Sequence, residues 1–253
     1  MISALQCAPF SSFAGAAVAD KNIADNERLI FAMDLPDCDR ARQLAAELGD
    51  SVIFYKLGLE LMMTGGYFEL LDWMLARDKK VFADLKFFDI PATVGSAVRQ
   101  LKTRGASFVT VHGNQSIMEA AAENKGDELK VLAVTVLTSL DRGDLDDLGF
   151  DCDVEELVLS RAKRALEAGC DGVISSGLEV GKLRQYIDAK LIVVTPGIRP
   201  VDNKPGGDQK RVVSVEQAFR NGADYIVVGR PIRDADSPRA AAESIQAIIA
   251  AEF

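Results

Sequence analysis

The fold is decided by a stretch that reads VFADLKFFDIPATVGSAVRQLKTR over residues 81–104. Its first part is an apolar run of strand length. From residue 93 onward, apolar residues recur at three- and four-residue spacing, which is typical of a helix packed on one face. Pro91 is well suited to the first turn of that helix. The stretch therefore predicts a strand followed by a helix, with charged residues at the junction.

The same order of strand and helix recurs along the chain. Helical patterns cover residues 65–77, 93–104 and 154–168, among others. Eight alternating units in 253 residues, with 48% hydrophobic content, predict a single-domain α/β fold, the (β/α)8 or TIM barrel. The eight predicted strands cover residues 28–35, 52–58, 81–86, 108–112, 130–137, 172–176, 191–196 and 225–230. We assign residues 1–26 to an N-terminal extension and residues 27–253 to the catalytic barrel.

Composition excludes several classes of function. The formal charge of -9 opposes binding to a nucleic-acid backbone. Cys7, Cys38, Cys152 and Cys170 are widely spaced and accompany a single histidine, so neither a zinc site nor a disulfide framework is indicated. No apolar run approaches the roughly 18 residues of a membrane span. A protein of the reducing cytoplasm, without metal or membrane, is the interpretation that fits.

Polar residues follow the apolar runs where catalysis in a barrel takes place, at the carboxyl ends of the strands. Asp34, Lys56 and Arg230 are among them, although Asp34 alone could be a turn residue and Arg230 a surface arginine. Residues 197–213 contain three glycines and two prolines, which indicates a long, mobile loop over the barrel mouth.

Asp84, Lys86 and Asp89 form the strongest chemical pattern. Residues two apart on a strand share a face, so Asp84 and Lys86 are predicted to point together into the barrel. Carboxylates near an ammonium favour its charged form, which would keep Lys86 protonated as an acid. The alternative is a structural ion pair on a solvated strand end. His112, the lone histidine, is more simply interpreted as a polar strand-end residue and is left out of the site.

The pattern Asp-x-Lys-x-x-Asp-Ile-Pro-x-Thr over residues 84–93 resembles the signature of the orotidine 5'-phosphate decarboxylases. Further segments resemble that family in order, and the resemblance extends over residues 29–232, most closely to the bacterial branch. Many relatives carry His where this chain has Phe88, which argues against a role for that position. The matching segments are Ala-Met-Asp at 32–34, Tyr-Lys-Leu-Gly at 55–58, Val-Thr-Val-Leu-Thr-Ser at 134–139, Thr-Pro-Gly-Ile-Arg-Pro at 195–200, Gly-Asp-Gln at 207–209 and Val-Gly-Arg-Pro at 228–231.

The resemblance implies decarboxylation of orotidine monophosphate to uridine monophosphate without metal or cofactor. It implies Lys86 as the catalytic proton donor, with Asp84, Asp89 and Lys56 as the charged catalytic residues that position it. It also implies a homodimer with shared active sites, in which Asp89, Ile90 and Thr93 reach into the neighbouring subunit's pocket. The substrate-binding residues so implied are Asp34, Lys56, Asp84, Lys86, Asp89, Ile90, Thr93, Thr138, Ser139, Pro196, Arg199, Gln209, Gly229 and Arg230.

Two other functions share part of this pattern. Metal-dependent aldolases or decarboxylases of sugar phosphates use related barrels with an Asp-x-Lys-x-x-Asp motif, but they need acidic ligands at several strand ends. Lys56, at the end of the second predicted strand, would oppose a divalent ion. A catalytically silent nucleotide-binding barrel would keep the phosphate loop and lose the acid, whereas Lys86, Asp84 and Asp89 are all present.

Overall fold

A computed structural model describes residues 21–199 and 211–253. Within them, eight parallel strands follow one another around a closed barrel, and the last pairs with the first, which confirms the predicted architecture. Seven strands lie inside their predicted ranges, and the third extends one residue beyond its range at each end. The strands are β1 (Leu29–Ala32), β2 (Phe54–Leu57), β3 (Lys80–Phe87), β4 (Phe108–Val111), β5 (Lys130–Val134), β6 (Gly172–Ile174), β7 (Ile192–Thr195) and β8 (Tyr225–Val228).

Helices between the strands cover the outside of the barrel. α4 begins at Pro91, which takes the N-terminal position expected of proline. Asp37, Asn114 and Ser237 cap other helices by accepting a hydrogen bond from a first-turn amide. The helices are α1 (Cys38–Leu48), α2 (Leu59–Met63), α3 (Tyr67–Leu75), α4 (Pro91–Lys102), α5 (Gln115–Asn124), α6 (Arg142–Asp147), α7 (Val154–Glu167), α8 (Val180–Tyr186), α9 (Val215–Arg220), α10 (Arg230–Arg233) and α11 (Pro238–Glu252).

The barrel interior is filled by side chains from successive strands. Phe108 lies in an aromatic group, with ring centroids 4.9 Å from Phe54, 5.2 Å from Tyr225 and 5.9 Å from Phe82. These contacts are tilted or edge to face, the arrangement that aromatic rings prefer. Larger numbers of buried Leu, Val and Ala side chains pack between the strands and the helices. The interior is therefore a packed core that supports the strand ends.

A buried carboxylate links three elements near β7 and β8. Asp224, 3% exposed, accepts hydrogen bonds from Arg184 Nη2 at 2.7 Å, Lys21 Nζ at 2.6 Å and the Val193 amide at 2.8 Å. Lys21 belongs to the predicted extension, so this part of the extension contacts the barrel. Residues 1–20 and 200–210 lie outside the described residues, and with them most of the predicted mobile loop.

Asp224→Ala is expected to destabilise the fold strongly, because it leaves the buried Arg184 guanidinium without its carboxylate. Breaking a buried pair from one side costs about 3–5 kcal/mol of unfolding free energy. Urea unfolding followed by circular dichroism measures this loss. Asp50→Ala removes a fully exposed carboxylate from Lys79, whose ammonium keeps the Gly49 carbonyl as a partner, and this matched control should change little. A cost for Asp224→Ala below about 1 kcal/mol would contradict this role.

No helix within residues 21–199 and 211–253 is both long and apolar enough to cross a membrane.

Candidate active site

A cavity of about 630 Å³ lies at the carboxyl ends of the strands. Its volume is in the range of small-molecule binding sites. Ala32, Phe82 and Val227, which belong to the apolar barrel interior, form part of its surface. Ten of the residues predicted for the site line it, and they come from β1, β2, β3, β5, β7 and β8 or the segments after them: Asp34, Lys56, Asp84, Lys86, Thr138, Ser139, Pro196, Arg199, Gly229 and Arg230.

Four charged side chains form a continuous row in this cavity, called the charged array below. Lys86 Nζ lies 2.8 Å from Asp84 Oδ1. The other carboxylate oxygen, Asp84 Oδ2, lies 3.4 Å from Lys56 Nζ, which in turn lies 3.1 Å from Asp34 Oδ1. Alternating carboxylates and ammonium groups at these distances stabilise each other's charged forms.

Two members of the charged array have shifted pKa values. Burial alone would raise the pKa of Asp84, but the charges of Lys56 and Lys86 outweigh burial and hold this pKa below its ordinary value. Burial alone would lower the pKa of Lys56, but Asp84 and Asp34 outweigh burial and raise it. Asp84 is therefore a carboxylate and Lys56 an ammonium throughout the neutral range.

The backbone at Lys86 departs from regular strand geometry. Its φ is +48°, in the left-handed region that side chains other than glycine rarely adopt, and the pairing of β3 with β4 shifts between Ala83 and Phe87. Thr110, fully buried on β4, supports this conformation. Its Oγ1 accepts from the Lys86 amide at 2.9 Å and donates to Asp84 Oδ1 at 2.9 Å. Backbone strain held in this way is characteristic of functional positions.

Asp89, Ile90 and Thr93 do not line the main cavity of their own chain. Asp89 and Thr93 line a second, shallower depression beside it, which Lys86 also lines. Asp89 Oδ1 accepts from the Ile90 amide at 2.6 Å, and the Ile90 side chain is 66% exposed. The fold thus places these three residues on the surface near Lys86. Gln209, also predicted for the site, lies outside the described residues.

Sequence reasoning missed Thr110 and Arg233. Arg233 lines the cavity, and its Nη1 donates to the Asp34 backbone carbonyl at 2.9 Å. It follows Arg230 by three residues on α10, so helical spacing could have placed both on one face. Thr110 carries a weaker signal, as a polar residue in an apolar strand.

His112, which the sequence analysis does not assign to the site, does not line the cavity. Its ring meets Phe88 edge to face at 5.5 Å between centroids. Burial, and then the charges of Arg161 and Lys86, lower the pKa of His112, which keeps the ring neutral near pH 7. Within the described residues, no group of three or more His, Cys, Asp or Glu side chains is placed to hold a metal ion.

Comparison with known proteins identifies the family of this chain. Residues 27–245 match the profile described as the orotidine 5'-phosphate decarboxylase / HUMPS family. The chain is 67% identical to the orotidine 5'-phosphate decarboxylase of Methylococcus capsulatus, over 92% of this chain and 96% of that protein. It is 51% identical to that of Stenotrophomonas maltophilia, over 90% and 95%. A crystal structure of the Lactobacillus acidophilus orotidine 5'-phosphate decarboxylase superposes with a TM-score of 0.78 at 35% identity, covering 88% of this chain and 99% of that one.

Proposed function

The chain belongs to the orotidine 5'-phosphate decarboxylase / HUMPS family, and we propose that it acts as the carboxy-lyase that converts orotidine monophosphate to uridine monophosphate and CO2. The observation that carries this proposal is the charged array, with the Lys86 ammonium at its end in the cavity. Such a step belongs to the biosynthesis of pyrimidine nucleotides. We assign the reaction to the cytoplasm. We assign the catalytic barrel to residues 27–253 and an N-terminal extension to residues 1–26.

Lys86 is the proton donor in this proposal. When the bond from C6 of the pyrimidine to the carboxylate breaks, CO2 leaves and the electron pair stays on C6. The ring cannot delocalise that pair as an enolate does, so a fixed positive charge beside C6 must stabilise it. The Lys86 ammonium supplies this charge and then transfers a proton to C6, and the resulting amine regains a proton from solvent.

Asp84 and Lys56 hold Lys86 in place for this step. Asp84 bonds the Lys86 ammonium directly, and Lys56 neutralises the second oxygen of Asp84. The array is assembled before substrate enters, so little reorganisation accompanies the chemical step. Asp34, next in the row, is assigned to the ribose, as the resemblance implies.

The remaining cavity residues divide between base and phosphate. Thr138 and Ser139 are assigned to the pyrimidine, and Pro196 and Arg199 to the loop that encloses the nucleotide. Gly229 and Arg230 are assigned to the phosphate, together with Gln209. A guanidinium forks onto phosphate oxygens, and phosphate sites near the last two strands are common in barrels.

A metal-dependent enzyme for sugar phosphates is the rival within related barrels. A divalent ion would need the carboxylates of Asp34 and Asp84, but Lys56 Nζ lies between them at 3.1 and 3.4 Å. An ammonium in that position opposes a second cation. This contact favours decarboxylation without a metal.

We also propose that two chains share their active sites. Phe88 and Ile90 are 69% and 66% exposed, beside the depression that Lys86 and Asp89 line. Large exposed apolar side chains next to a site suit a surface that a second subunit covers. Asp89, Ile90 and Thr93 would then complete the partner's cavity, and Asp89 would add a further carboxylate to the partner's charged array.

The direct test is an ultraviolet assay of the purified protein with orotidine monophosphate, in the presence and absence of EDTA. The absorbance of orotidine monophosphate is expected to fall at the same rate with and without EDTA. No turnover would overturn the proposed function. Turnover that EDTA abolishes and a divalent ion restores would favour the metal-dependent rival.

Arg230→Ala is expected to reduce kcat/KM for orotidine monophosphate by about a hundredfold, because a charged hydrogen-bond donor to phosphate contributes about 1.5–3 kcal/mol. Slow turnover of the phosphate-free nucleoside orotidine should hardly change. Steady-state kinetics on the two substrates separate these effects. Equal losses on both would contradict a phosphate role for Arg230.

A further inference from the structure

Arg211 joins two walls of the cavity without lining it. Its Nη1 lies 2.7 Å from Glu179 Oε1, and its Nη2 donates to the backbone carbonyls of Val136 at 3.1 Å and Leu137 at 3.0 Å. The Arg211 and Glu179 side chains are 12% and 8% exposed. One buried guanidinium thus connects the segment after β5 with the start of α8.

The two carbonyls belong to a part of the chain that has left the sheet. β5 ends at Val134, and Val136 and Leu137 directly precede Thr138 and Ser139 in the cavity wall. A buried carbonyl outside regular structure requires a donor, since leaving it unpaired costs free energy. Arg211 supplies that donor to the carbonyl of Val136, which is 3% exposed, and gives a second donor to the carbonyl of Leu137, which also accepts from the Leu140 amide at 3.0 Å.

The other side of Arg211 is tied to the wall after β7. Val213 forms a parallel bridge with Ile198, in which the Val213 amide donates to Gly197 O at 3.2 Å and the Arg199 amide donates to Val213 O at 3.0 Å. Ile198 and Arg199 line the cavity. Arg211, two residues before Val213, therefore links this wall to the wall that carries Thr138 and Ser139.

The geometry of the ion pair indicates that the carbonyls set the guanidinium orientation. A bidentate pair would use both carboxylate oxygens, whereas Arg211 meets Glu179 through one oxygen. Glu179 Oε2 and Arg211 Nε, both buried, make no hydrogen bond within the described residues. Arg211 thus makes one contact with the carboxylate, although a bidentate pair would make two, and it makes both contacts with the carbonyls.

We propose that Arg211 is a positioning residue for the base side of the site, holding Thr138 and Ser139 at the distance from Pro196 and Arg199 that a pyrimidine ring needs. This inference rests on the proposed function, which assigns the base to Thr138 and Ser139. Glu179 neutralises the buried guanidinium. Fixing a wall before binding lowers the cost of ordering it around the ligand.

The test measures base binding and phosphate binding separately. The variant used for it should not leave a buried charge without its partner. Arg211→Met alone would leave Glu179 buried and unpaired, which is strongly destabilising. The double variant Arg211→Met, Glu179→Gln removes both charges and keeps the volume. Inhibition constants are measured for uridine monophosphate and for ribose 5-phosphate, which lacks the base, and thermal unfolding shows whether the variant is folded.

For the double variant, the inhibition constant of uridine monophosphate should rise about 10- to 100-fold, the effect of losing hydrogen bonds to a charged donor. That of ribose 5-phosphate should change by less than about threefold. Glu179→Gln alone keeps both carbonyl contacts and is the control for ligand binding. Its unpaired buried guanidinium should lower the thermal unfolding temperature, but the constants for both ligands should stay nearly wild type. Unchanged binding of uridine monophosphate in the double variant, or equal weakening of both ligands, would overturn the role of Arg211.

Arg211→Lys provides a second test should the double variant fail to fold. It keeps a positive charge opposite Glu179, but a single ammonium lacks the planar fork needed to reach the carboxylate and both carbonyls. The same selective loss for uridine monophosphate is expected, and its absence would overturn the inference. A wild-type protein that fails to decarboxylate orotidine monophosphate would instead overturn the proposed function, and the inference with it.

Discussion

Lys86→Ala is expected to lower kcat for orotidine monophosphate by at least about ten thousandfold. General acid catalysis contributes about 10²–10⁴, and a preorganised charge at the reacting atom contributes about 10²–10³, and one side chain supplies both. Substrate affinity should fall far less, because the phosphate and ribose contacts remain. Single-turnover measurements with enzyme in excess, together with equilibrium binding of uridine monophosphate, separate the two quantities.

These measurements report on catalysis only if the Lys86→Ala variant is folded. Asp84 keeps Lys56 as a partner when Lys86 is removed, so the carboxylate is not left as an isolated buried charge. The pKa of Asp84 should move up toward its ordinary value, because one of the two cations that lower it is gone. Lys163→Ala, at an exposed lysine on α7, is the matched control and should leave kcat unchanged. Residual activity above a few per cent in Lys86→Ala would remove Lys86 from the role of proton donor.

The barrel could be predicted from sequence because its signals are local. Most strands are short apolar runs that are largely buried on both faces, and each run stands next to a helical period, so the eight units can be counted without tertiary information. Strand ends are less well predicted. Residues such as Leu35 and Val136 extend the apolar pattern but lie beyond the strands, where they pack as part of the core.

Inside the site, the alternation of side chains along a strand predicts that Asp84 and Lys86 share a face, and both line the cavity. It could not predict how Lys86 is held. The left-handed backbone at Lys86 depends on the Thr110 hydroxyl from the next strand, a contact between residues 24 positions apart. Likewise, Arg211 acts on carbonyls 74 and 75 residues away. Neither contact leaves a pattern in the local sequence.

A different problem concerns Asp89, Ile90 and Thr93. The resemblance assigns them to the active site, but they do not line the main cavity of their own chain. Asp89 follows Lys86 by three residues, but the chain turns between them, and Asp89 caps the amide of Ile90 at the surface. A single chain therefore offers Lys86 in one cavity and Asp89 beside it. In the proposed dimer, a second chain related by a two-fold axis supplies Asp89 to that cavity.

Mixing two inactive variants, Lys86→Ala and Asp89→Ala, is expected to restore activity from nearly none. In a two-fold dimer with composite sites, a hybrid carries both lesions in one site and none in the other. Random exchange makes about half of the dimers hybrids, each with one of two sites intact, so roughly a quarter of wild-type activity should return. Native mass spectrometry of the mixture measures the fraction of hybrids.

The recovered activity has to follow the hybrid fraction, because only hybrids contain an intact site. Longer incubation raises both until exchange is complete. Neither variant incubated alone should gain activity, which controls for refolding. If Asp89 acted within its own chain, every hybrid site would keep one lesion. The mixture would then stay inactive even with half of the dimers shown to be hybrids, and the shared-site arrangement would be wrong.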